Sequence, residues 1–432
     1  MAKINNFIAE YKETITLSGI TPGDTKPPKV VIRRFVRLFK AVTDSRMDAM
    51  IDYPLVEILL ISFLAILGNA STWAEIANFA ETKKRWLKKF IPLKNGVPSH
   101  DTFRRVFSLI DSDTLQLATV DFLRENIAAI RRAMGIPIKG YRQICVDGKV
   151  ERGTGRKYGT DEAVSNLQTL HIYDASDSIC LYSCPIASKT NEIPVAQAAL
   201  RKMNLKGCIV SFDAMHTQTE TIEIIAKGKG EYIGGLKGNQ SGFLEAVTGV
   251  FTDKLKKKIM QSGHGYYETS EKAHSKIEKR CFYLTPAACG KAEWKGLKSF
   301  VLYEKYTYDL IKEEEYMEVR YYITSLKDVE LAAEAIRGHW AVEDKLHWHL
   351  DYSFCEDDNS TIDKNAFQNY SLMNKLVLSL CKLAQPLMKN NSIRIIRKQF
   401  GWDFEQYLSL LLATFDDIEI IGVIEDSIQK NK

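Results

Sequence analysis

Residues 142–153 read RQICVDGKVERG. Ile144, Cys145 and Val146 form the short apolar run of a buried strand, which the sequence then ends on Asp147, Gly148 and Lys149. An aspartate in that place can cap a turn. It can also face a ligand, because open α/β sheets gather ligands at the carboxyl ends of their strands. Its neighbours in the fold decide between the two.

Strand signals continue in LQTLHIYDA at 167–175 and SICLYSCPIA at 178–187, spaced as a meander. The pattern then alternates: a helix in EIPVAQAALRKMN, a strand in CIVSFD at 208–213, a helix in TQTETIEIIAKGKG, and a strand in EYIGGLKG at 231–238. This order predicts a mixed α/β sheet with helices on its faces. Residues 139–243 are the first part of such a core, and 244–330, rich in Tyr, Phe and Val, read as a β-rich insertion. Helical periodicity resumes at VELAAEAIRGHWAVEDKLHWHLDYSF, so 331–432 complete the core with helices. Before it, 31–138 predict an all-helical domain, with Ser99 as an N-cap and Gly135 with Pro137 closing the last helix. Residues 1–30, containing TPGDTKPPKV, read as a flexible arm.

At 432 residues the chain has room for several units, given roughly 100 to 200 residues per domain. Hydrophobic residues at 45% and charged residues at 26% fit an ordinary globular protein and exclude a disordered or collagen-like one. The net charge of +5 permits an anionic partner without requiring one. Eight cysteines and a start, MAKINNFIAE, without the apolar core of a signal peptide suit a cytoplasmic location. Cys180 and Cys184 read as buried thiols on a strand rather than a zinc pair, since no second pair follows. PLVEILLISFLAILG at 54–68 carries Glu57 and is shorter than the ~20 apolar residues a bilayer requires. It reads as a buried helix, and no membrane partner is expected.

Asp213 ends a predicted strand as Asp147 does, and both could face one crevice. On a wheel of about 100° per residue, Ile336, His339, Trp340, Leu346, His347 and Leu350 all fall within about 60° of Glu343. That puts Glu343 in the middle of an apolar face, where a carboxylate is costly unless paired or metal-bound. Asp344 and Lys345 project elsewhere as surface charges. His339, Glu343 and His347 stand at zinc-compatible spacing, but without the H-E-x-x-H arrangement. Two aspartates and a glutamate are hard oxygen donors suited to two Mg²⁺ or Mn²⁺ ions, the ions of phosphoryl transfer.

Four motifs in order, VDGK at 146–149, FDAMHTQ at 212–218, YIGGLKGNQ at 232–240 and RGHWAVEDKLHWHLDYSFCEDD at 337–358, resemble the insertion-sequence DDE transposases related to the H-repeat-associated proteins of Rhs elements. YPLVEILLISFLAIL and GVPSHDTFRRVFSLI are similar to the associated domain that precedes the catalytic domain in that family. The resemblance implies an RNase H-like catalytic domain with Asp147, Asp213 and Glu343 as catalytic metal ligands. It implies DNA cleavage and strand transfer at terminal inverted repeats into target DNA, by a homodimer, with no small-molecule substrate. One departure stands out: many relatives carry an Arg four residues before the glutamate and a Lys seven after it, where this chain has His339 and Leu350.

KKRWLKKF at 83–90 mixes basic residues with aromatics, as phosphate tracking and base stacking require. Candidate DNA contacts are therefore Lys83, Lys84, Arg85, Arg104 and Arg105 in the helical domain, and Lys149, Lys237, Asn239, Arg337 and His339 around the crevice. Arg131, Arg132, LKKKI at 255–259 and RIIRKQF at 394–400 are further candidates. Two rivals share much of this pattern: a stand-alone RNase H-like metal nuclease, and a domesticated or inactive DNA-binding protein.

Overall fold

The computed structural model describes residues 28–403 apart from 48, 50, 134–139, 156–164, 187–191, 274, 291 and 389–390. The helix stop at Gly135 and Pro137 and all of the expected arm except 28–30 lie outside the described residues. Those three residues are helical.

Six helices open the described chain: α1 (Pro28–Lys40), α2 (Leu55–Leu67), α3 (Trp73–Thr82), the single turn α4 (Lys84–Leu87), α5 (His100–Leu109) and α6 (Ser112–Ala133). Every residue of α2 except Val56 is buried, Glu57 included, as expected of a helix apolar all round. Ser99 caps α5, its Oγ accepting the backbone N–H of Thr102 at 3.2 Å.

Nine strands follow: β1 (Arg142–Glu151), β2 (Leu167–Asp174), β3 (Ile179–Ile186), β4 (Cys208–Phe212), β5 (Glu231–Leu236), β6 (Tyr266–Ala273), β7 (Lys276–Pro286), β8 (Ser299–Asp309) and β9 (Glu314–Thr324). They form one mixed sheet in the order β3-β2-β1-β4-β5-β9-β8-β7-β6. β1 to β3 are antiparallel neighbours, and β4 and β5 run parallel to β1. Parallel neighbours need crossover connections, which α7 (Glu192–Lys202) and α8 (Thr219–Lys227) supply. The sheet is the mixed α/β one expected from the sequence pattern, in the RNase H-like arrangement that the family resemblance implies.

The insertion differs from its expectation in two ways. It opens with helices α9 (Ser241–Val250) and α10 (Asp253–Ser262), so residue 244 falls inside a helix. Its meander β6 to β9 also extends the core sheet, because β9 pairs with β5 from Ile233↔Thr324 to Leu236↔Tyr321. An exposed β5 edge would leave backbone groups unpaired, and β9 covers it.

Helices α11 (Val329–His339), α12 (Trp348–Tyr352), α13 (Lys364–Ala384) and α14 (Ile393–Trp402) complete the described chain. α11 lies on β1, β4 and β5, and Gly338 lets it close on the strand, since a Cβ there would push the Gln143 amide aside. α13 packs on β3, α5 and α6. Its Asn369 Nδ2 donates to the carbonyls of Phe107 at 2.9 Å and Ile110 at 3.0 Å. N-terminal and C-terminal helices thus share one core. Among the described residues no helix is long and apolar enough to cross a membrane.

Candidate active site

Strand β1 runs four residues past Asp147, with Gly148, Lys149, Val150 and Glu151 all paired to β2. Asp147 is therefore mid-strand rather than at a strand end or in a turn. What ends at Val146↔Phe212 is the β1–β4 ladder. Asp147 and Asp213 are the next residues on these neighbouring parallel strands, which lie about 4.8 Å apart. The two aspartates follow paired residues, so they leave the ladder side by side.

Alternation gives β1 one face carrying Gln143, Cys145, Asp147, Lys149 and Glu151. Gln143 Nε2 donates to the Ala335 carbonyl at 2.6 Å, and Cys145 Sγ lies 3.4 Å from that of Gly338. These contacts seat the last turns of α11 on β1 and bring Glu343 close enough for its charge to act on Asp147. The other face meets α7: a Cβ on Gly148 would collide with the buried Glu192 carboxylate, which receives His216 Nε2 at 3.0 Å.

Each acid is held differently. Asp213 Oδ1 accepts the backbone N–H groups of Met215 at 3.0 Å and His216 at 3.3 Å. The loop behind it is tied to β5, because the Thr217 hydroxyl lies 3.0 Å from the Asp213 carbonyl and 2.7 Å from that of Gly235. Asp147 has its carboxyl pushed up to about 7 by burial, then by the negative charges of Glu343 and Asp213. Glu343 is also raised, by burial first, with Arg320 and Lys237 pulling the other way.

Glu343 departs from its helical-wheel placement. It is exposed, not sunk in an apolar stripe. The helix is not a continuous α-helix there: Glu343–His347 is a π turn, closed by the Trp348 N–H bonding to the Glu343 carbonyl. One extra residue in the turn invalidates a 100° wheel beyond that point, and such turns recur at functional sites. His347 swings to face Asp147, with Nδ1 3.7 Å from Oδ2, while its Nε2 meets His171 Nδ1 at 2.9 Å. Burial holds His347 down at about 3 and His339 at about 4, so both rings are neutral. Lys345, expected on the surface, is half-buried.

Several candidate DNA contacts are engaged elsewhere. Lys149 is buried, with Nζ paired to Glu151 and lying 2.8 Å from Asp351 and 3.9 Å from Asp357. Asn239 Nδ2 donates to the Ala214 carbonyl at 2.8 Å and braces the Asp213 loop. Arg337 pairs with Glu271 of β6 at 3.2 Å, and His339 Nδ1 meets Ser211 Oγ at 3.2 Å. Among the described residues, His339, Glu343 and His347 do not gather their ligand atoms within 4.8 Å as a zinc site needs. Within KKRWLKKF, Trp86 is buried against Phe90 at 4.8 Å, so it has no face free for a base. Lys84 pairs with Glu81 at 3.1 Å and Arg104 with Asp101 at 3.6 Å, while Arg85 and Arg105 are exposed. The side chains of Arg131 and Arg132 lie outside the described residues. Arg397 is buried and bonded to the carbonyls of Ile66 at 3.0 Å and Ala70 at 3.0 Å.

Sequence reading missed Arg320, which β9 brings beside Glu343 and stacks 4.4 Å over the Trp340 ring. It also missed the His171–His347 pair. Nothing in EVRYYITSL or LQTLHIYDA signals those partners, which only the sheet order supplies.

Two acidic groups could hold a cation. Among the described residues, Glu151, Asp351 and Asp357 are the set of three whose ligand atoms lie within 4.8 Å of one another, but the Lys149 ammonium already contacts all three. Asp147, Asp213 and Glu343 are less tightly gathered and present hard oxygens whose mutual repulsion Asp147 registers. That donor set fits a divalent ion.

The family model described as "Transposase DDE domain" matches residues 138–380, and "DDE_Tnp_1-associated" matches 36–123. The Escherichia coli K12 protein YbfL is 30% identical over 360 residues, 81% of this chain and 90% of its own. YhhI of the same strain, named as an H repeat-associated transposase candidate, is 29% identical over 81% of this chain and 90% of its own. A cryo-EM structure of the piggyBac transposase synaptic complex with hairpin DNA aligns at TM-score 0.39 and 10% identity, covering 94% of this chain and 85% of that one. On the match of its central 243 residues, the chain belongs to the transposase DDE domain family.

Proposed function

We propose that this transposase binds the terminal inverted repeats of an insertion sequence, cleaves a phosphodiester at the element end and joins the freed 3′-hydroxyl to target DNA. The observation that carries the reading is the Val146↔Phe212 pairing, which leaves Asp147 and Asp213 side by side, with Glu343 acting on Asp147. These three carboxylates would hold two Mg²⁺ or Mn²⁺ ions, which when bound supply Lewis acidity and lower the pKa of the attacking water or hydroxyl.

The chain's own groups do the positioning. Amides of Met215 and His216 fix the Asp213 carboxylate before any substrate arrives. His347, backed by His171, limits the orientations open to Asp147. Lys237 and Arg320 place positive charge beside Glu343, where the scissile phosphate enters, and take the place of the Arg and Lys of the relatives' motif. Arg85 and Arg105, with Lys83, Lys84 and Arg104, contribute salt-dependent contacts to the duplex backbone from the helical domain. Two copies act together, because two element ends must be joined.

The test uses purified protein, DNA carrying the inverted repeats that flank its coding region, and Mg²⁺. Cleavage and joining are expected, and Asp213→Asn should lower both at least ~1,000-fold while retaining end binding. Cleavage by the variant at the wild-type rate overturns the assignment. Cleavage without joining of pre-cleaved ends would identify a nuclease, and duplex binding without metal-dependent nicking a DNA-binding protein.

A further inference from the structure

Beyond the carboxylates, the C-terminal helices carry a second feature for nucleic acid. Trp348 and Tyr352 are 50% and 49% exposed, although they stack on each other at 4.6 Å with 23° between ring planes. Large rings left in water on one helix face are costly without a partner. Arg394 of α14 lies 5.0 Å over the Tyr352 ring. From there Arg394, Lys398 and Trp402 succeed one another at i, i+4 and i+8, so they share a face of α14. All three are exposed, Trp402 by 75%. Two rings, two cations and a further ring thus follow one another along two helices.

Its position follows from the π turn. In an unbroken α-helix, residue 348 would sit about 140° round from residue 343. The i→i+5 bond from the Trp348 N–H to the Glu343 carbonyl instead brings Trp348 nearly above Glu343. The track therefore starts at the mouth of the candidate active site. Asp351, the acid beside it in sequence, is drawn inward by Lys149 at 2.8 Å and does not oppose an anionic strand.

We propose that Trp348, Tyr352, Arg394, Lys398 and Trp402 form a stacking track for an unpaired DNA strand running from the active site, the two tryptophans taking bases, Tyr352 bracing Trp348 beneath its stacked face, and the cations taking phosphates. Rings accept any base through its flat face, and the neighbouring cations follow the backbone. The proposal rests on the transposase reading, since that reading brings a strand end to Glu343.

Binding of the full chain to a fluorescent thymine-tract oligonucleotide and to a blunt duplex separates the two ideas. Trp348→Ala should weaken single-strand binding about tenfold, the ~1.4 kcal/mol equivalent of one base–ring stack, and Tyr352→Ala, which removes the ring Trp348 rests on, about threefold, with duplex binding unchanged in both. Trp348→Phe should stay within about threefold of wild type, since it keeps a ring. Both positions are exposed, and unchanged thermal unfolding checks that the variants fold. Single-strand affinity unaffected by either alanine overturns the track and leaves the transposase reading standing. A wild-type chain that binds neither DNA overturns both.

Discussion

Two acidic groups lie on the same face of β1, four residues apart. Around Glu151 the fold collects Asp351, Asp357 and the fully buried Glu356, and places the Lys149 ammonium among them. Burial alone would lower that ammonium, but Glu151 and Glu356 hold it above its ordinary value. Around Asp147 the fold collects Asp213 and Glu343, while the positive charges of Lys237 and Arg320 act on Glu343 and are not among the first influences on Asp147. The first group carries its own cation and is structural. The second leaves repulsion standing in the free protein, as expected where a cation arrives from outside.

Removing the internal cation is the strongest way to break this contrast. Lys149→Met strands Glu151, which is 0% exposed and already pushed up to about 7 by burial and Glu356. Deleting one partner of a buried ion pair costs about 3–5 kcal/mol, and the urea midpoint should fall accordingly. Adding Glu151→Gln should recover part of the loss, because the two residues share one interaction. A single variant as stable as wild type would mean that Lys149 does not hold the group together. Gly148→Ala, between the two groups, should cost less, ~1–3 kcal/mol, since its methyl drives into the Glu192 carboxylate that His216 holds at 3.0 Å.

The second group predicts an effect of opposite sign. Asp147 has a folded value of about 7 against an ordinary 3.8, so between those pH values the native state binds more protons than the unfolded one. Stability then falls as pH rises through that window and levels off above it. Asp147→Asn removes the titration. Without divalent ions it should gain ~1–3 kcal/mol over wild type between pH 4 and pH 8, a stabilising substitution at a residue proposed as a metal ligand. Parallel urea-midpoint curves for the two proteins across that range would show that Asp147 carries no such strain.

Much of this was legible in the chain. The strands at 142, 167, 178, 208 and 231 came from apolar runs punctuated by Gly, Asp and Asn, and Asp147 and Asp213 stood out as the acids after two of them, although which strands adjoin is set only by the sheet order. Three things were hidden, each for a physical reason. β1 continues past Gly148 because β2 pairs with it there, a tertiary effect outweighing a local turn signal. The π turn at Glu343 follows directly on α11, which seats on the sheet, and it overrides a wheel that assumes 3.6 residues per turn. Lys149 looked like a free cation in VDGK because the burial that forces it onto Glu151 comes with acids from residues 351 and 357, two hundred positions away.

The smallest expected effect is the most discriminating between the two groups. A divalent ion that binds only the native state stabilises it by RT ln(1 + [ion]/Kd), about 1.4 kcal/mol at ten times Kd. Mg²⁺ or Mn²⁺ should therefore raise the melting temperature of wild type in thermal unfolding. Relief of the charge on Asp147 requires the gain to grow as pH rises toward 8, where that carboxyl is ionised. Asp147→Asn and Asp213→Asn should abolish it, whereas Asp357→Asn should not, because Lys149 lies in that group in place of an ion. The reverse pattern, with the gain lost at Asp357 and kept at Asp147, would mean that the metal displaces Lys149 and that the assignment of structural and catalytic roles to the two groups must be exchanged.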